Sequence, residues 1–136
     1  MKAINITLAF DGETEAAFNF YKSIFGGEFE HLQRMKEIPG NPLPAEEGEK
    51  ILHLRYPIGS AVLLGMDVPN GRMQVNKGNN FMITLETSSE EETARFYKGL
   101  AEGGTIVMPL ANQFWGAYFG MVTDKFNIQW MLSYAK

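Results

Sequence analysis

The sequence has 136 residues, no cysteine, a formal net charge of −4 at neutral pH, and 45% hydrophobic residues. This length fits one domain with its own core. The missing cysteine excludes disulfides and thiolate metal sites, and the acidic balance argues against nucleic acid as a partner. The first residues lack the apolar segment of a signal peptide, and no apolar run approaches the roughly 20 residues that span a bilayer. We therefore expect a cytoplasmic protein that does not enter the membrane.

A strand followed by a helix occurs twice along the chain. Residues 6–27 and 83–104 have equal length, and both read Ile-Thr-Leu, then Phe-Tyr-Lys, then Gly-Gly. Alternating apolar residues predict strands over residues 4–10 and 81–86. Acidic first turns and apolar stripes at helical spacing predict a three-turn helix after each strand. Ser89 with Glu92 has the spacing of a capping box.

Three further strand-like segments follow each predicted helix, so both halves read βαβββ. The segments cover residues 28–35, 50–57, 61–66, 105–110, 116–122 and 128–134. The first module then covers about residues 1–66 and the second about 81–136, with a polar connector at 67–80 that contains an Asn70-Gly71 turn. Residues 36–49, rich in proline and acid, are predicted to be a loop.

These modules resemble the vicinal oxygen chelate superfamily, which has the glyoxalase and bleomycin-resistance fold. The sequence is most similar to its PhnB-like branch along nearly the whole chain. The resemblance is carried by EAAFNFYKSIFGGEF, KILHLRYPIG and MPLANQFWGAYFGMVTDKFNIQWMLSY. The family usually has glycine after the aromatic residue of the TD-x-F turn. Here Asn127 takes that position, and asparagine tolerates a positive φ well enough to keep the turn.

The resemblance implies an α+β fold in which two βαβββ modules form curved mixed sheets around a cleft, with the helices outside. It also implies a homodimer. Metal-dependent relatives place their ligands on the cleft face of the first and last strands of each module. Here those positions include Asn5, Thr7, Glu86 and Gln129, of which only Glu86 is a strong ligand for a hard cation. We therefore predict no metal and no other cofactor, and keep a divalent ion held by His53 and Glu86 as the weaker alternative.

The strand over residues 50–57 offers the best candidates for polar chemistry. His53 and Arg55 share one face with Ile51, and together they could bind an anion or a carbonyl group. The alternative is that both side chains point into solvent or an interface. His31 lies among acidic residues, so we expect its side chain to be solvated at the surface.

In the last third of the chain, some residues are candidates for ligand contact and others for a structural role. Gln113, Phe114 and Trp115 place an amide and two large rings before a strand. The rings of Phe114 and Trp115 could line a ligand pocket and stack on a flat or apolar group, or they could belong to the core. Asp124 is interpreted as a turn residue that binds local backbone. Trp130 is interpreted as core.

Three functions remain open at this point, of which the last is that of a structural or regulatory dimer with a vestigial cleft. The first is a small-molecule-binding protein without the superfamily metal, whose ligand-binding candidates are Asn5, Thr7, His53, Arg55, Gln113, Trp115 and Gln129. The second is a metal-dependent lyase, isomerase or dioxygenase with unusual ligands. Some relatives are labelled as ubiquinone-pathway methyltransferases, but this sequence lacks the glycine-rich strand-to-helix loop of a doubly wound cofactor domain.

Overall fold

A computed structural model of the chain describes residues 1–40, 43–69 and 73–136. Two compact units make up the chain, Met1–Asn76 and Lys77–Lys136. The boundary between them falls inside the connector predicted from the sequence, whose Asn70-Gly71 turn lies outside the described residues. Among the described helices, none is long and apolar enough to cross a membrane.

The first unit carries helix α1 against one face of a four-stranded mixed sheet. The strand order is β1-β4-β3-β2. Strand β1 is parallel to β4, and the other neighbours are antiparallel. The elements are β1 (Ile6–Phe10), α1 (Thr14–Phe25), β2 (His31–Arg34), α2 (Ala45–Gly48), β3 (Ile51–Ile58) and β4 (Ala61–Asp67).

The second unit repeats this arrangement, with the order β5-β8-β7-β6. Strand β5 is parallel to β8, and the other neighbours are antiparallel. The elements are β5 (Ile83–Glu86), α3 (Glu90–Ala101), β6 (Thr105–Asn112), β7 (Ala117–Thr123) and β8 (Gln129–Ala135). The predicted βαβββ order is therefore confirmed in both halves. The cleft that the resemblance implies stays a prediction.

Close packing between a strand glycine and a helix shows which face of each sheet is covered. A Cβ atom on Gly65 would lie 2.6 Å from Cε1 of Phe18 in α1, and one on Gly120 would lie 2.8 Å from Cε2 of Tyr97 in α3. Because strand residues alternate between faces, the neighbours of these glycines point away from the helices. We call the face opposite the helix the distal face of each sheet.

The start of α1 is capped by a residue that is distant in sequence. Its N-cap residue, Glu13, makes no side-chain capping bond. Instead, the buried carboxylate of Asp67 accepts hydrogen bonds from the backbone N–H groups of Gly12 and Thr14, at 2.9 and 3.1 Å, and from the Thr14 hydroxyl at 2.7 Å. Its other oxygen accepts from the Ile51 N–H at 2.8 Å. One carboxylate thus joins β4, β3 and the beginning of α1, and satisfies donors that a helix start leaves unpaired.

The prediction of a plain loop over residues 36–49 is wrong. A 3₁₀ turn at Met35–Glu37 and the short helix α2 occupy its two ends. Pro44, with φ of −53°, precedes α2, and its carbonyl accepts a hydrogen bond from the Gly48 N–H at 3.0 Å. Proline presets a helical φ and acidic residues suit the first turn, so residues that mark a loop also start a helix here. Pro42 lies outside the described residues.

Two predicted strands also need correction. Strand β2 starts at His31 rather than residue 28, and its pairing with β3 shifts between Gln33 and Arg34. Ile51 was predicted to share a face with His53, but Ile51 is completely buried whereas His53 is half-buried. The register shift explains the difference, because an extra residue in a strand interrupts its alternation.

The structural interpretations in the second unit are confirmed. Ser89 is the N-cap of α3 and accepts a hydrogen bond from the Glu92 N–H at 3.1 Å. The Glu92 carboxylate accepts from Ser88 N–H instead of the cap residue, so the reciprocal half of the capping box is shifted by one residue. Asn127 has a φ of 68°, as the TD-x-F turn requires, and Trp130 is completely buried.

Candidate functional site

The predicted polar pair lies on the distal face of the first sheet. Arg55 pairs with Leu64, which pairs with Thr7, so these three side chains share a face. Each adjoins a residue of the helix-facing row, in which Leu8, Gly65 and Leu54 are aligned. Thr7 and Arg55 therefore point away from α1. Asn5, the other first-strand candidate, is exposed and precedes the first residue of β1.

His53 and Arg55 each have a neighbour on β2. Gln33 is opposite His53, and His31 is opposite Arg55. The Arg55 guanidinium forms a 2.5 Å ion pair with Glu30, and 35% of its side chain is exposed. A partly solvated pair of this kind adds little stability, but it neutralises the cation that was expected to bind an anion. The structure therefore weakens the case for Arg55 as a free anion ligand.

The distal face of the second sheet carries a row of methionines. Thr84 pairs with Met131, Met131 with Met121, and Met121 with Met108. The row therefore crosses all four strands of the sheet, from β5 to β6. The three methionines are half-buried and Thr84 is exposed. Methionine is flexible and polarisable, so such a row forms a surface that adapts to the shape of an apolar group.

Three aromatic rings continue this surface along β7 toward its start. Phe119 is on the same face as Met121, two residues away, and is only 8% exposed. Its ring lies 5.6 Å from that of Trp115, which lies 5.0 Å from that of Phe114, both in edge-to-face geometry. Trp115 and Phe114 remain 52% and 97% exposed. Since the side chain of Trp115 is about half exposed, its core interpretation is wrong.

Polar groups flank the methionines and rings. Ser133 pairs with both Phe119 and Glu86, and Gln129 pairs with Thr123, so all of these lie on the distal face. Gln129 is 9% exposed, and its amide Nε2 donates to the Asn127 carbonyl at 2.8 Å, which leaves the Oε1 atom as its acceptor. Glu86 is exposed. We call this surface the methionine face; its members are Thr84, Glu86, Met108, Trp115, Phe119, Met121, Gln129, Met131 and Ser133.

Gln113 has a structural position in the turn between β6 and β7. Its N–H donates to the Ala117 carbonyl at 2.8 Å, and its carbonyl accepts from Gly116 N–H at 3.1 Å. The side-chain amide donates to Ala111 at 3.3 Å. These bonds close the hairpin at Gly116, whose φ is 96°, a value that glycine adopts at little cost. Gln113 thus holds Trp115 at the end of the methionine face.

Asp124 also has the structural role predicted for it. Its Oδ1 accepts from the N–H groups of Phe126 and Ile128 at 2.7 and 3.1 Å, and its Oδ2 accepts from Nε1 of Trp130 at 2.8 Å. The carboxylate is 2% exposed. It fixes the turn before β8 and therefore the register that places Gln129 and Met131 on the methionine face.

The candidate metal ligands His53 and Glu86 belong to no cluster of three such ligands in the described parts of the chain. Within residues 1–40, 43–69 and 73–136, no three histidine, cysteine, aspartate or glutamate side chains are grouped so that they could hold an ion. His53 belongs to the first unit and Glu86 to the second. Nothing observed in the described residues therefore supports the alternative of an enzyme with these two ligands, and the absence of a metal stays a prediction.

The family was recognisable in sequence, but the methionine face was not. Gln129 and Trp115 were found from the resemblance and from aromatic content. Met108 and Met121 were missed because their alignment depends on strand register, which is shifted twice along β6, between Ile106 and Met108 and between Met108 and Ala111. The signal that could have found Met121 is the alternation of β7 itself.

Comparison with known proteins places the chain in a family. Residues 2–133 match the family model described as 3-demethylubiquinone-9 3-methyltransferase. Protein YjdN of Escherichia coli strain K12 is 28% identical over 95% of this chain and 92% of its own length. The crystal structure of protein PA1353 from Pseudomonas aeruginosa is 34% identical, covers 98% of each chain and has a TM-score of 0.78.

Two further solved structures define the branch and the fold. A Bacillus cereus protein described as a putative 3-demethylubiquinone-9 3-methyltransferase, PhnB protein, is 29% identical over 98% of this chain and all of its own, with a TM-score of 0.74. A glyoxalase/bleomycin resistance protein/dioxygenase family enzyme from Burkholderia phytofirmans has a TM-score of 0.65, covers 97% of each chain and is 12% identical, so it shows the fold alone. The chain therefore belongs to the family described as 3-demethylubiquinone-9 3-methyltransferase, which the Bacillus cereus description also calls PhnB, and it has the fold of the glyoxalase/bleomycin resistance protein/dioxygenase structure.

Proposed function

We propose that the protein binds a small apolar or aromatic molecule on the methionine face, without the metal of the superfamily. The observation that carries this proposal is the register-matched row of Met108, Met121 and Met131 on a face that no helix of its own unit covers. Solvent-accessible methionines beside aromatic rings are typical of surfaces that bind apolar ligands of varied shape. Rings such as Trp115 add stacking with a flat group.

Polar groups at the edge of the methionine face indicate that the ligand also carries hydrogen-bonding groups. The Oε1 atom of Gln129 accepts hydrogen bonds, while the hydroxyls of Thr84 and Ser133 both donate and accept them. A planar ligand with one or two hydroxyl or carbonyl groups would satisfy both the apolar centre and this rim. Polar groups at the edge fix the orientation of a ligand whose affinity comes from apolar contact.

The description of the family model names a methyltransferase, but we do not infer methyl transfer for this chain. In the described residues, each sheet has one parallel pair of strands and two antiparallel pairs. A doubly wound cofactor domain instead has a mostly parallel sheet with a phosphate-binding turn after its first strand. Each unit here lacks that parallel order, so binding is the function we infer.

A fluorescent probe of apolar surfaces tests the proposal. We expect 8-anilinonaphthalene-1-sulfonate to bind the folded chain in buffer with excess EDTA, and Met121→Gln and Met131→Gln to weaken this binding at least tenfold each. Met73→Gln is the matched control, because Met73 is 55% exposed and lies in the first unit. Equal binding by all variants would overturn the site. Binding lost in EDTA and restored by a divalent ion would overturn its metal independence.

We also propose that the protein acts as a homodimer in the cytoplasm. The resemblance supports the dimer, and a chain without cysteine suits a reducing compartment without requiring it. Light scattering at two protein concentrations tests the assembly. A mass of one chain at both concentrations would contradict the dimer.

A further inference from the structure

The two histidines of the sequence are neighbours on the first sheet. His31 is on β2 and His53 on the antiparallel strand β3, and they are diagonal partners because His31 pairs with Arg55 and Gln33 with His53. Diagonal residues of antiparallel strands are about 7–8 Å apart and within reach of long side chains. The centres of the two imidazole rings lie 5.5 Å apart, with their planes inclined by 50°.

Both rings are accessible and chemically unoccupied within the described part of the chain. His31 is exposed and His53 half-buried. None of the four nitrogen atoms of the two imidazole rings forms a hydrogen bond or an ion pair with another described residue. A histidine with a purely structural role usually has such a partner, since its nitrogens are strong donors and acceptors. The four ring nitrogens are therefore available to an external ligand.

The distance between the rings matches chelation of one metal ion. A zinc–imidazole bond is about 2.1 Å long. With the ring radius of about 1.1 Å added to each bond, the centres of two rings on one ion lie about 4.5 Å apart at a 90° angle, about 5.2 Å at the tetrahedral angle and about 6.4 Å at 180°. The observed 5.5 Å falls inside this range, so the separation of the two rings allows both of them to ligate one ion.

We propose that His31 and His53 together bind a divalent first-row transition-metal ion, with a preference for Cu²⁺ and Ni²⁺ over Zn²⁺ and none for Mg²⁺. Imidazole suits these ions, and their affinity for nitrogen sites follows the Irving–Williams order. The amide oxygen of Gln33, opposite His53 on the same face, is within reach as an oxygen ligand. Water or an external donor would fill the remaining coordination positions.

The local charge is compatible with a cation. Arg55 is opposite His31 and would repel an ion if it were free. Its guanidinium is instead ion-paired with Glu30 at 2.5 Å, so the pair is neutral as a unit. The site is on strands β2 and β3, away from the first and last strands on which metal-dependent relatives place their ligands. No step of the proposed ligand binding depends on it.

Titration with nickel chloride is the direct test. The sequence contains two histidines, so any binding of the ion through imidazole has to involve these residues. We expect the EDTA-stripped, dialysed full chain to bind one Ni²⁺ by isothermal titration calorimetry. His31→Gln and His53→Gln should each weaken that binding at least tenfold, because each removes half of the chelate. Glu102→Gln, at an exposed residue of the second unit, is the control and should bind as the unmodified chain does.

A second readout separates chelation from unfolding. Circular dichroism should be unchanged in both histidine variants. In the unmodified chain, substoichiometric Cu²⁺ should broaden the imidazole Hε1 signals of both histidines in parallel, and Mg²⁺ should leave them sharp. Absence of Ni²⁺ binding, or binding that survives either single substitution within twofold in a folded variant, would overturn the proposal. Broadening of one histidine signal alone would overturn it as well.

Discussion

Gly65 lies directly beneath Phe18, so close that a Cβ atom on Gly65 would be 2.6 Å from the ring carbon Cε1. This contact brings α1 onto the first sheet. Its φ is not in the left-handed region, so space rather than backbone conformation makes glycine necessary here. A contact this close between helix and strand is possible only because the strand residue has no side chain.

The second unit has the same contact on a different strand. There Tyr97 of α3 covers Gly120, with 2.8 Å between its Cε2 and the position of a Cβ. Gly65 is on β4, the partner of β1, whereas Gly120 is on β7, one strand further from β5. Both duplicated modules therefore pack an aromatic ring of the helix over a strand glycine. The glycine comes from a different strand in each module. The aligned rows are Leu8-Gly65-Leu54 and Leu85-Leu132-Gly120.

Adding one methyl group beneath either ring should destabilise the fold. We expect Gly65→Ala and Gly120→Ala each to lower the free energy of unfolding by about 1–3 kcal/mol, the usual cost of overpacking. The loss should be larger for Gly120, because a Cβ there also meets the backbone of Leu110 at 3.0 Å, which moves less easily than a side chain. Urea unfolding measures the change. Gly78→Ala, with open space around it, is the control, and an equal loss there would contradict the account.

The carboxylate of Asp124 should be essential to the turn before β8. Asp124→Asn replaces the carboxylate that accepts from Phe126, Ile128 and Trp130 by an amide whose nitrogen faces another donor. We expect the free energy of unfolding to fall by about 2 kcal/mol, because a buried donor to a charged group is left unpaired. Urea unfolding followed by circular dichroism measures this loss.

A second substitution separates this bond from general disruption of the turn. In Trp130→Phe the Nε1 donor is absent, so the further change Asp124→Asn should cost less than it does in the unmodified chain. A double-mutant cycle gives the coupling energy of the pair. Strictly additive losses would show that the bond between the two side chains contributes no stability.

The ion pair between Glu15 and Arg34 should make stability depend on pH. Both nitrogens of the Arg34 fork contact the Glu15 carboxylate, at 3.0 and 2.6 Å, and this pairing holds the pKa of Glu15 below its usual value of 4.5. A carboxyl group with a lowered folded-state pKa stabilises the fold above its unfolded pKa. That stabilisation is lost as the pH falls through the folded pKa.

The variant Glu15→Gln isolates this contribution. At pH 7 we expect it to be less stable by about 0.5–1 kcal/mol, a small value because 43% of the Glu15 side chain is exposed. The difference should shrink as the pH falls below about 4.5. Urea unfolding at pH 7 and pH 3 measures both. Glu28→Gln is the control, since 85% of the Glu28 side chain is exposed and its ion pair should matter little. A difference that grows toward low pH would contradict the assignment.

Local features of the fold were readable from the sequence. The N-cap at Ser89, the turn at Asp124 and the positive φ of Asn127 all depend on residues within a few positions of one another. The βαβββ order followed from two repeated stretches. The helix α2 was missed because proline and acidic residues mark loops and helix starts alike.

Features that depend on pairing between distant strands were not readable. The capping of α1 by Asp67 joins residues more than fifty positions apart. The proximity of His31 and His53 depends on the register of β2 and β3, which contains a shift. The methionine row depends on three registers at once. Alternation shows which face a residue occupies within one strand, but not which residue of another strand stands beside it.

Methionine methyl NMR tests the central claim that a small apolar molecule binds the methionine face without a metal. The chain is labelled with ¹³C at its methionine methyl groups and titrated with 8-anilinonaphthalene-1-sulfonate in EDTA. Met→Leu variants assign the signals. The signals of Met121 and Met131 should shift together and saturate with one dissociation constant, while that of Met35, buried in the first unit, stays unchanged. Unchanged Met121 and Met131 signals, or an equal shift of Met35, would contradict the claim.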